Sequence, residues 1–137
     1  MKKLLALLAI CFSLSGFAQK NKPDYSKLTT LDIVKVSIKG LDLQNTIWQD
    51  SIVKLKELKL TGVDAENFKI IHYTFKTNYK KSLTSDEFYS EIIPQTMTTF
   101  FKDLESNCKV SFEEIVVKHK ENGKEFKIMP LYVFIKT

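Results

Sequence analysis

Apolar and polar residues alternate in two stretches of the chain, and both stretches predict β-strands. In residues 33–39, valine and isoleucine alternate with lysine and serine, which is typical of a strand with one face in solvent, and Gly40 ends the pattern. Residues 68–77 alternate in the same way. The polar face of this second strand carries His72, Thr74 and Lys76.

A longer alternating stretch, residues 109–136, predicts two antiparallel strands joined at residues 121–124. Asn122 and Gly123 favour a two-residue type I′ turn, because both central residues of that turn have positive φ, which Gly adopts freely and Asn tolerates. This hairpin is the most specific structural signal in the sequence. We expect the rest of the domain to be organised around it.

Residues 43–60 fit a short helix about as well as strands, and we expect extended structure there. This region contains the only tryptophan of the chain, Trp48. Its neighbours Ile47 and Ile52 favour a place in the core, and a sugar-stacking platform is the alternative.

Competing signals meet between residues 83 and 107. Residues 84–87 form a capping box that favours a helix start, but Pro94 would interrupt that helix. We therefore predict a short irregular or helical segment at 85–92 and a helix at 94–105, with Asn107 as its left-handed C-cap. One side of the predicted helix is apolar, which indicates that it covers a face of the sheet. That side consists of Met97, Phe100, Phe101 and Leu104.

The first 18 residues are typical of a bacterial secretory signal peptide that is cleaved before Gln19. Two lysines precede an apolar run that is too short for a transmembrane anchor, so we expect no membrane span after cleavage. Lipidation at Cys11 is the alternative, and the bulky Ile10 directly before it argues against an outer-membrane lipoprotein. We predict a flexible N-terminal arm at 19–30, a single β-rich domain at 31–137, and a periplasmic or secreted location.

The composition argues against nucleic-acid binding. Removal of the leader lowers the formal net charge from +5 to +3, and every basic residue is lysine. Without arginine, the chain lacks the planar guanidinium group, which forms bidentate hydrogen bonds with phosphates and guanines. After cleavage Cys108 is the only cysteine, which excludes an intrachain disulfide and a cysteine zinc cluster. We interpret Cys108 as a small residue in a turn, and a reactive thiol is the alternative.

The sequence contains no phosphate loop, nucleophile elbow or zinc helix, so we predict a non-enzymatic protein without a cofactor or metal. His72 and His119 lack a third ligand at a suitable spacing, and we expect both on the surface. A partner surface should lie on solvent-facing residues around the hairpin. The candidate contacts are Trp48, His72, Lys76 and His119. A homodimer is a further option.

Residues 55–137 resemble the C-terminal domain of gliding-motility protein M, a subunit of the type IX secretion and gliding motor of Bacteroidetes. The resemblance is carried by the sequence KVSFEEI at 109–115, the Asn-Gly turn, the alternating final strand and the strand FKIIHYTF at 68–75. Cys108 and Tyr73 depart from the family pattern, which has Asp and Phe there. The family protein is a long inner-membrane subunit with several domains, so proton-driven energy transduction does not carry over.

The resemblance implies an immunoglobulin-like β-sandwich with one crossover helix, used to contact other cell-envelope proteins. It therefore suggests an exported binding module, accessory to type IX secretion or gliding. Two alternatives remain open. One is a glycan-binding or enzyme-inhibitory secreted domain centred on Trp48, and the other is an enzyme that depends on Cys108.

Overall fold

A computed structural model describes residues 23–39, 46–48, 51, 54–79, 82–102 and 108–136. The predicted leader, most of the stretch at 40–53 and the predicted cap Asn107 lie outside these residues. The described residues are mainly β, with strands in mixed orientations. In chain order the elements are β1 (Val34–Ile38), β2 (Thr46–Trp48), β3 (Leu58–Gly62), a short 3-10 helix (Ala65–Asn67), β4 (Phe68–Tyr79), β5 (Ser82–Phe88), α1 (Gln95–Lys102), β6 (Cys108–His119), β7 (Glu125–Lys127) and β8 (Leu131–Lys136).

The larger sheet has six strands in the order β2-β8-β6-β4-β5, and β7 pairs with β6 beside β8. Both β5 and β6 run antiparallel to β4, so β5 and β6 are parallel to each other on its two sides. Parallel strands need a crossover connection, and α1 lies in that connection. The prediction of a crossover helix therefore agrees with the strand order.

The inner face of this sheet forms the core together with the smaller sheet. Strands β1 and β3 make a two-stranded antiparallel sheet, and the valines and isoleucine of β1 point into the same apolar cluster as the inner face of the large sheet. Met97 of α1 and the preceding Ile93 complete the cluster. The largest buried side chains are Ile47, Tyr73, Phe112, Ile115 and Ile135.

The predicted hairpin forms, but its turn differs from the prediction. The strands β6, β7 and β8 keep one register, with Lys118 opposite Glu125 and Phe112 opposite Leu131. The loop is longer than two residues, since the amide of Gly123 donates to the carbonyl of His119 at 2.9 Å. Gly123 has φ of 71°, whereas Asn122 is not among the residues with positive φ, so the type I′ prediction is wrong.

A double irregularity interrupts the pairing of β4 with β6. The register shifts between Ile70 and His72 and shifts back between His72 and Thr74. Within the second shift Glu114 adopts φ of 48°, which is rare for a residue with a side chain. Such bulges bend a strand and re-aim its side chains. Here the bulge places His72 opposite Val116 on the outer face of the sheet.

The prediction of an irregular or helical segment at 85–92 is wrong for the first half of that range. Residues 82–88 form strand β5, which pairs along its whole length with β4. The capping box is a local signal worth about 1 kcal/mol, and the ladder of bonds to β4 outweighs it. The helix predicted at 94–105 is observed at Gln95–Lys102, directly after Pro94. Residues 103–105 of the predicted range are not among the described residues.

Gly62 provides a test of the packing of β3 against β1. It has φ of 110°, and a Cβ atom at this position would lie 2.2 Å from the backbone oxygen of Ile33. We expect Gly62→Ala to lower the free energy of unfolding by about 2 to 4 kcal/mol in urea denaturation.

Gly123→Ala is the matched control. Its φ is also positive, but the nearest atom is the flexible end of the Lys118 side chain at 3.5 Å. In this variant the free energy of unfolding should fall only by the cost of positive φ for alanine, about 1 to 2 kcal/mol. Equal losses in the two variants would contradict the close approach at Ile33.

Candidate functional site

The outer face of the large sheet is the side that the smaller sheet does not cover. One row across it joins Lys76 of β4, Ser111 of β6 and Tyr132 of β8. The next row joins Lys109 to Phe134, which in turn lies beside Thr46 of β2. Residues paired across neighbouring strands share a face, so these side chains form a continuous surface.

Three aromatic side chains of this face form what we call the aromatic patch: Trp48, Tyr132 and Phe134. Their exposed fractions are 60%, 40% and 45%. The prediction that Trp48 lies in the core is wrong. Strand β2 pairs in parallel with β8 and turns Ile47 inward, where it is 1% exposed, so its neighbour Trp48 points outward.

Two lysines flank the aromatic patch. The Nζ of Lys109 lies 4.3 Å from the ring centroid of Tyr132, and the Nζ of Lys136 lies 5.7 Å from that of Trp48. Each contact is a cation–π interaction worth about 0.5 to 1 kcal/mol at an exposed position. The patch therefore combines apolar ring faces with positive charge.

Lys76 lies on the same face and is held in place by an ion pair. Its Nζ donates to Glu113 Oε2 at 2.8 Å, and the hydroxyl of Ser111 donates to Glu113 Oε1 at 2.8 Å. The hydrogen bond from Lys76, with that from Ser111, holds the pKa of Glu113 below its ordinary value. The same contact raises the pKa of Lys76. Lys76 therefore borders the patch, and the negative charge of Glu113 compensates its positive charge.

His72 does lie on the predicted face, but it is buried rather than exposed. Only 2% of its surface is accessible, because rings from two other segments cover it. The ring of Tyr25 lies 4.8 Å from the imidazole and that of Tyr89 lies 5.3 Å away, between centroids. No local pattern predicts this burial, since Tyr25 belongs to the segment predicted as an arm.

The described part of that segment follows the edge of the sheet. Thr30 forms a parallel bridge with Lys127, and the amide of Leu31 donates to the carbonyl of Lys127 at 2.7 Å. The Nζ of Lys127 donates to the carbonyl of Ser26 at 3.0 Å. We call residues 23–31 the N-terminal segment. It crosses the outer face over His72 before the chain enters β1.

His119 is separated from His72 by the sheet. It packs edge-on against Phe68 at 5.0 Å between centroids and accepts a hydrogen bond at Nδ1 from the amide of Glu121 at 3.3 Å. It therefore caps the hairpin loop. The two histidines do not meet, and the described residues contain no group of three His, Cys, Asp or Glu side chains suited to a metal ion.

Cys108 begins β6 and is half-buried, with its Sγ 3.7 Å from the hydroxyl of Thr77. It lies on the opposite side of the strand from Lys109, so it is not part of the aromatic patch. The role of Cys108 as a reactive thiol stays a hypothesis.

The sequence pattern predicts Trp48 and Lys76 as candidate contacts but misses Tyr132, Phe134 and Lys109. The final strand is apolar at almost every position, so alternation alone does not separate its inner side from its outer side. The signal that remains is residue type, because Val133 and Ile135 are β-branched core residues whereas the alternate positions hold aromatic side chains.

The chain was compared with protein-family models, curated proteins and solved structures, and none of the three comparisons gave a match. Among the described residues, the structure has no helix suited to crossing a membrane.

The ion pair on this face predicts a pH-dependent contribution to stability. Because the pKa of Glu113 is lower in the folded protein, its stabilising effect is complete above the ordinary glutamate pKa and is lost as the pH falls through the lowered value. We expect Glu113→Gln to lower the free energy of unfolding at pH 7 by about 1 kcal/mol. The wild-type protein and this variant should converge in acid.

Urea denaturation at several pH values measures this difference. Glu121→Gln, in the exposed hairpin loop, is the control for loss of one negative charge. A constant difference between wild type and Glu113→Gln from pH 7 down to acid would show that the ion pair is not its cause.

Proposed function

We propose that this protein is a non-enzymatic, exported binding module that contacts other cell-envelope proteins through the aromatic patch. The observation that carries the proposal is the exposure of Trp48, Tyr132 and Phe134 on neighbouring positions of one sheet face. Single exposed apolar residues are ordinary, whereas a contiguous group marks an interaction surface.

The residue types in the patch suit protein recognition. Tryptophan and tyrosine are enriched among the residues that dominate binding energy, because they bury a large rigid area with little loss of conformational freedom. The lysines at the edge of the patch would face acidic groups of the partner and raise the association rate. We therefore propose a partner whose surface is apolar at its centre and acidic at its rim.

The resemblance to the C-terminal domain of gliding-motility protein M suggests the setting. Strand β4 and the hairpin from β6 to β8 contain the motifs that carry it, and we propose an immunoglobulin-like sandwich that serves as an accessory of type IX secretion or gliding. The pairing of a large and a small sheet around one core supports that architecture.

A variant with Trp48→Ala and Phe134→Ala tests the patch. Both side chains point outward, so we expect the fold to persist and the partner affinity to fall by about 100-fold or more, as for loss of two central aromatic contacts. Pull-down from an envelope extract, followed by titration of the purified partner, measures the change.

Val63→Ala is the control variant, because Val63 is an equally exposed apolar residue in the turn after β3, away from the outer face. Capture that is the same for the wild type, the double variant and the control would exclude the patch as the binding surface.

Glycan binding is a second candidate function, and the 60% exposure of Trp48 favours it. An exposed indole beside a second exposed ring can stack on the apolar faces of sugars. Because Trp48 is the only tryptophan, its fluorescence reports directly on the patch.

We expect a saturable change in Trp48 emission on titration with a glycan if this second function is the correct one. The Tyr132→Ala variant, which retains the fluorophore, should weaken the response. Unchanged emission across a panel of cell-envelope polysaccharides would favour the protein partner, and an enzyme-inhibitory role would then be tested with secreted hydrolases.

A further inference from the structure

The hairpin loop between β6 and β7 contains a sequence motif that the proposed function does not use, Asn122 followed by Gly123. Both residues are exposed. Among the asparagines of the chain, only Asn122 is followed by glycine. Glycine has no Cβ atom, so its backbone nitrogen can approach the carboxamide of the preceding residue without a steric barrier. Asn122 is therefore the asparagine of this chain that is chemically most prone to deamidation.

Deamidation at this dipeptide requires only water. The backbone nitrogen of Gly123 attacks Cγ of Asn122 and forms a new C–N bond. The bond from Cγ to Nδ2 breaks, and Nδ2 leaves as ammonia with the proton from the Gly123 amide. Water then opens the resulting succinimide ring at either carbonyl, which gives aspartate or isoaspartate at position 122.

The loop holds the attacking amide in an orientation that opposes this reaction. The N–H of Gly123 donates to the carbonyl of His119 at 2.9 Å, and the N–H of His119 donates to the carbonyl of Lys124 at 2.8 Å. Attack requires the Gly123 amide to lose its proton and to turn its nitrogen towards Cγ of Asn122. Because a peptide group is planar, that turn rotates the whole group and breaks the bond to His119.

The carboxamide that is attacked is held as well. Its Oδ1 accepts a hydrogen bond from the backbone N–H of Lys124 at 2.8 Å, which is the arrangement of an Asx-turn. This bond restricts the side-chain torsions of Asn122. The imidazole of His119 supports the same loop, because its Nδ1 accepts from the amide of Glu121 at 3.3 Å. Separate hydrogen bonds therefore fix the two reacting groups.

We propose that Asn122 is a deamidation site that reacts only when the hairpin loop opens. The observed rate then equals the rate in the open loop multiplied by the fraction of molecules in which the loop is open. Opening breaks two hydrogen bonds, so we expect the folded protein to deamidate about 10- to 100-fold more slowly than the unfolded chain. The site does not depend on the function proposed for the aromatic patch.

The two products have different effects on the hairpin. Aspartate leaves the backbone unchanged and still accepts from the N–H of Lys124, so the loop closes again. Isoaspartate adds one CH2 group to the main chain and moves the amide of Gly123 away from His119. We expect the isoaspartate form to lose the protection of the Gly123 amide against hydrogen exchange.

Peptide mapping by mass spectrometry tests the proposal, with the full chain incubated at mildly alkaline pH in buffer and in guanidinium chloride. The replacement of NH2 by OH at position 122 is followed in time. We expect this replacement to be about 10- to 100-fold faster in the denaturant. Asn67 and Asn78 precede phenylalanine and tyrosine, and as internal controls they should stay unmodified over the same time.

Two variants at one position separate the hydrogen bond from the side chain. Lys124→Pro removes the N–H that donates to Asn122, and should raise the rate in buffer about 3- to 10-fold, as for loss of one hydrogen bond. Lys124→Ala also removes the lysine side chain but retains that N–H, and should react as the wild type does. Hydrogen exchange of the wild-type Gly123 amide, measured by NMR, gives the open fraction directly and replaces the variants if Lys124→Pro does not fold.

Equal rates in buffer and in denaturant would overturn the proposal, because the closed loop would then give no protection. Equal rates for folded Lys124→Pro and Lys124→Ala would also overturn it, as would a Gly123 amide that exchanges as fast as in an unstructured peptide. Modification of Asn67 or Asn78 as fast as that of Asn122 would overturn the assignment of the site to this dipeptide.

Discussion

The pairing of β4 with β6 is the interaction on which the rest of the structure depends. These two strands have 12 residues each and lie at the centre of the large sheet. The paired shift in their register, with the positive φ of Glu114, changes what the sheet presents on its outer face. On one side of the shift the cross-strand pairs of residues are regular. On the other side the backbone carbonyl of Glu114 lies within hydrogen-bonding distance of the His72 ring.

The same strands therefore carry two different surfaces. Where β6 pairs regularly with β8, side chains stand in rows and form an open patch. Beyond the bulge, β6 pairs with the short strand β7, and the N-terminal segment extends that edge through Thr30. Its residue Tyr25 covers His72, which is buried on a face that is exposed to solvent elsewhere.

Signals that depend on neighbours in sequence predicted the structure well. The alternation at 33–39 and 68–77 and the two strands of the hairpin reflect the two-residue period of a strand, which needs no distant partner. One local prediction, the type of the hairpin turn, is wrong. The other failures concern pairing between residues that are distant in sequence. Strand β5 forms because β4 lies beside it, and Trp48 is exposed because β2 pairs with β8 from the opposite end of the chain. The burial of His72 by Tyr25 is also a contact between residues distant in sequence, so no local pattern predicts it.

The charge at the patch bears on the kind of partner that we propose for it. Contact between two copies through this surface would bring Lys109 and Lys136 of one molecule close to the same residues of the other. Like charges at an interface oppose association and cost more as water is excluded. Lysine beside a short edge strand such as β2 also discourages edge-to-edge pairing. An acidic partner would meet neither obstacle, so these charges favour the proposed binding of a different protein over a homodimer.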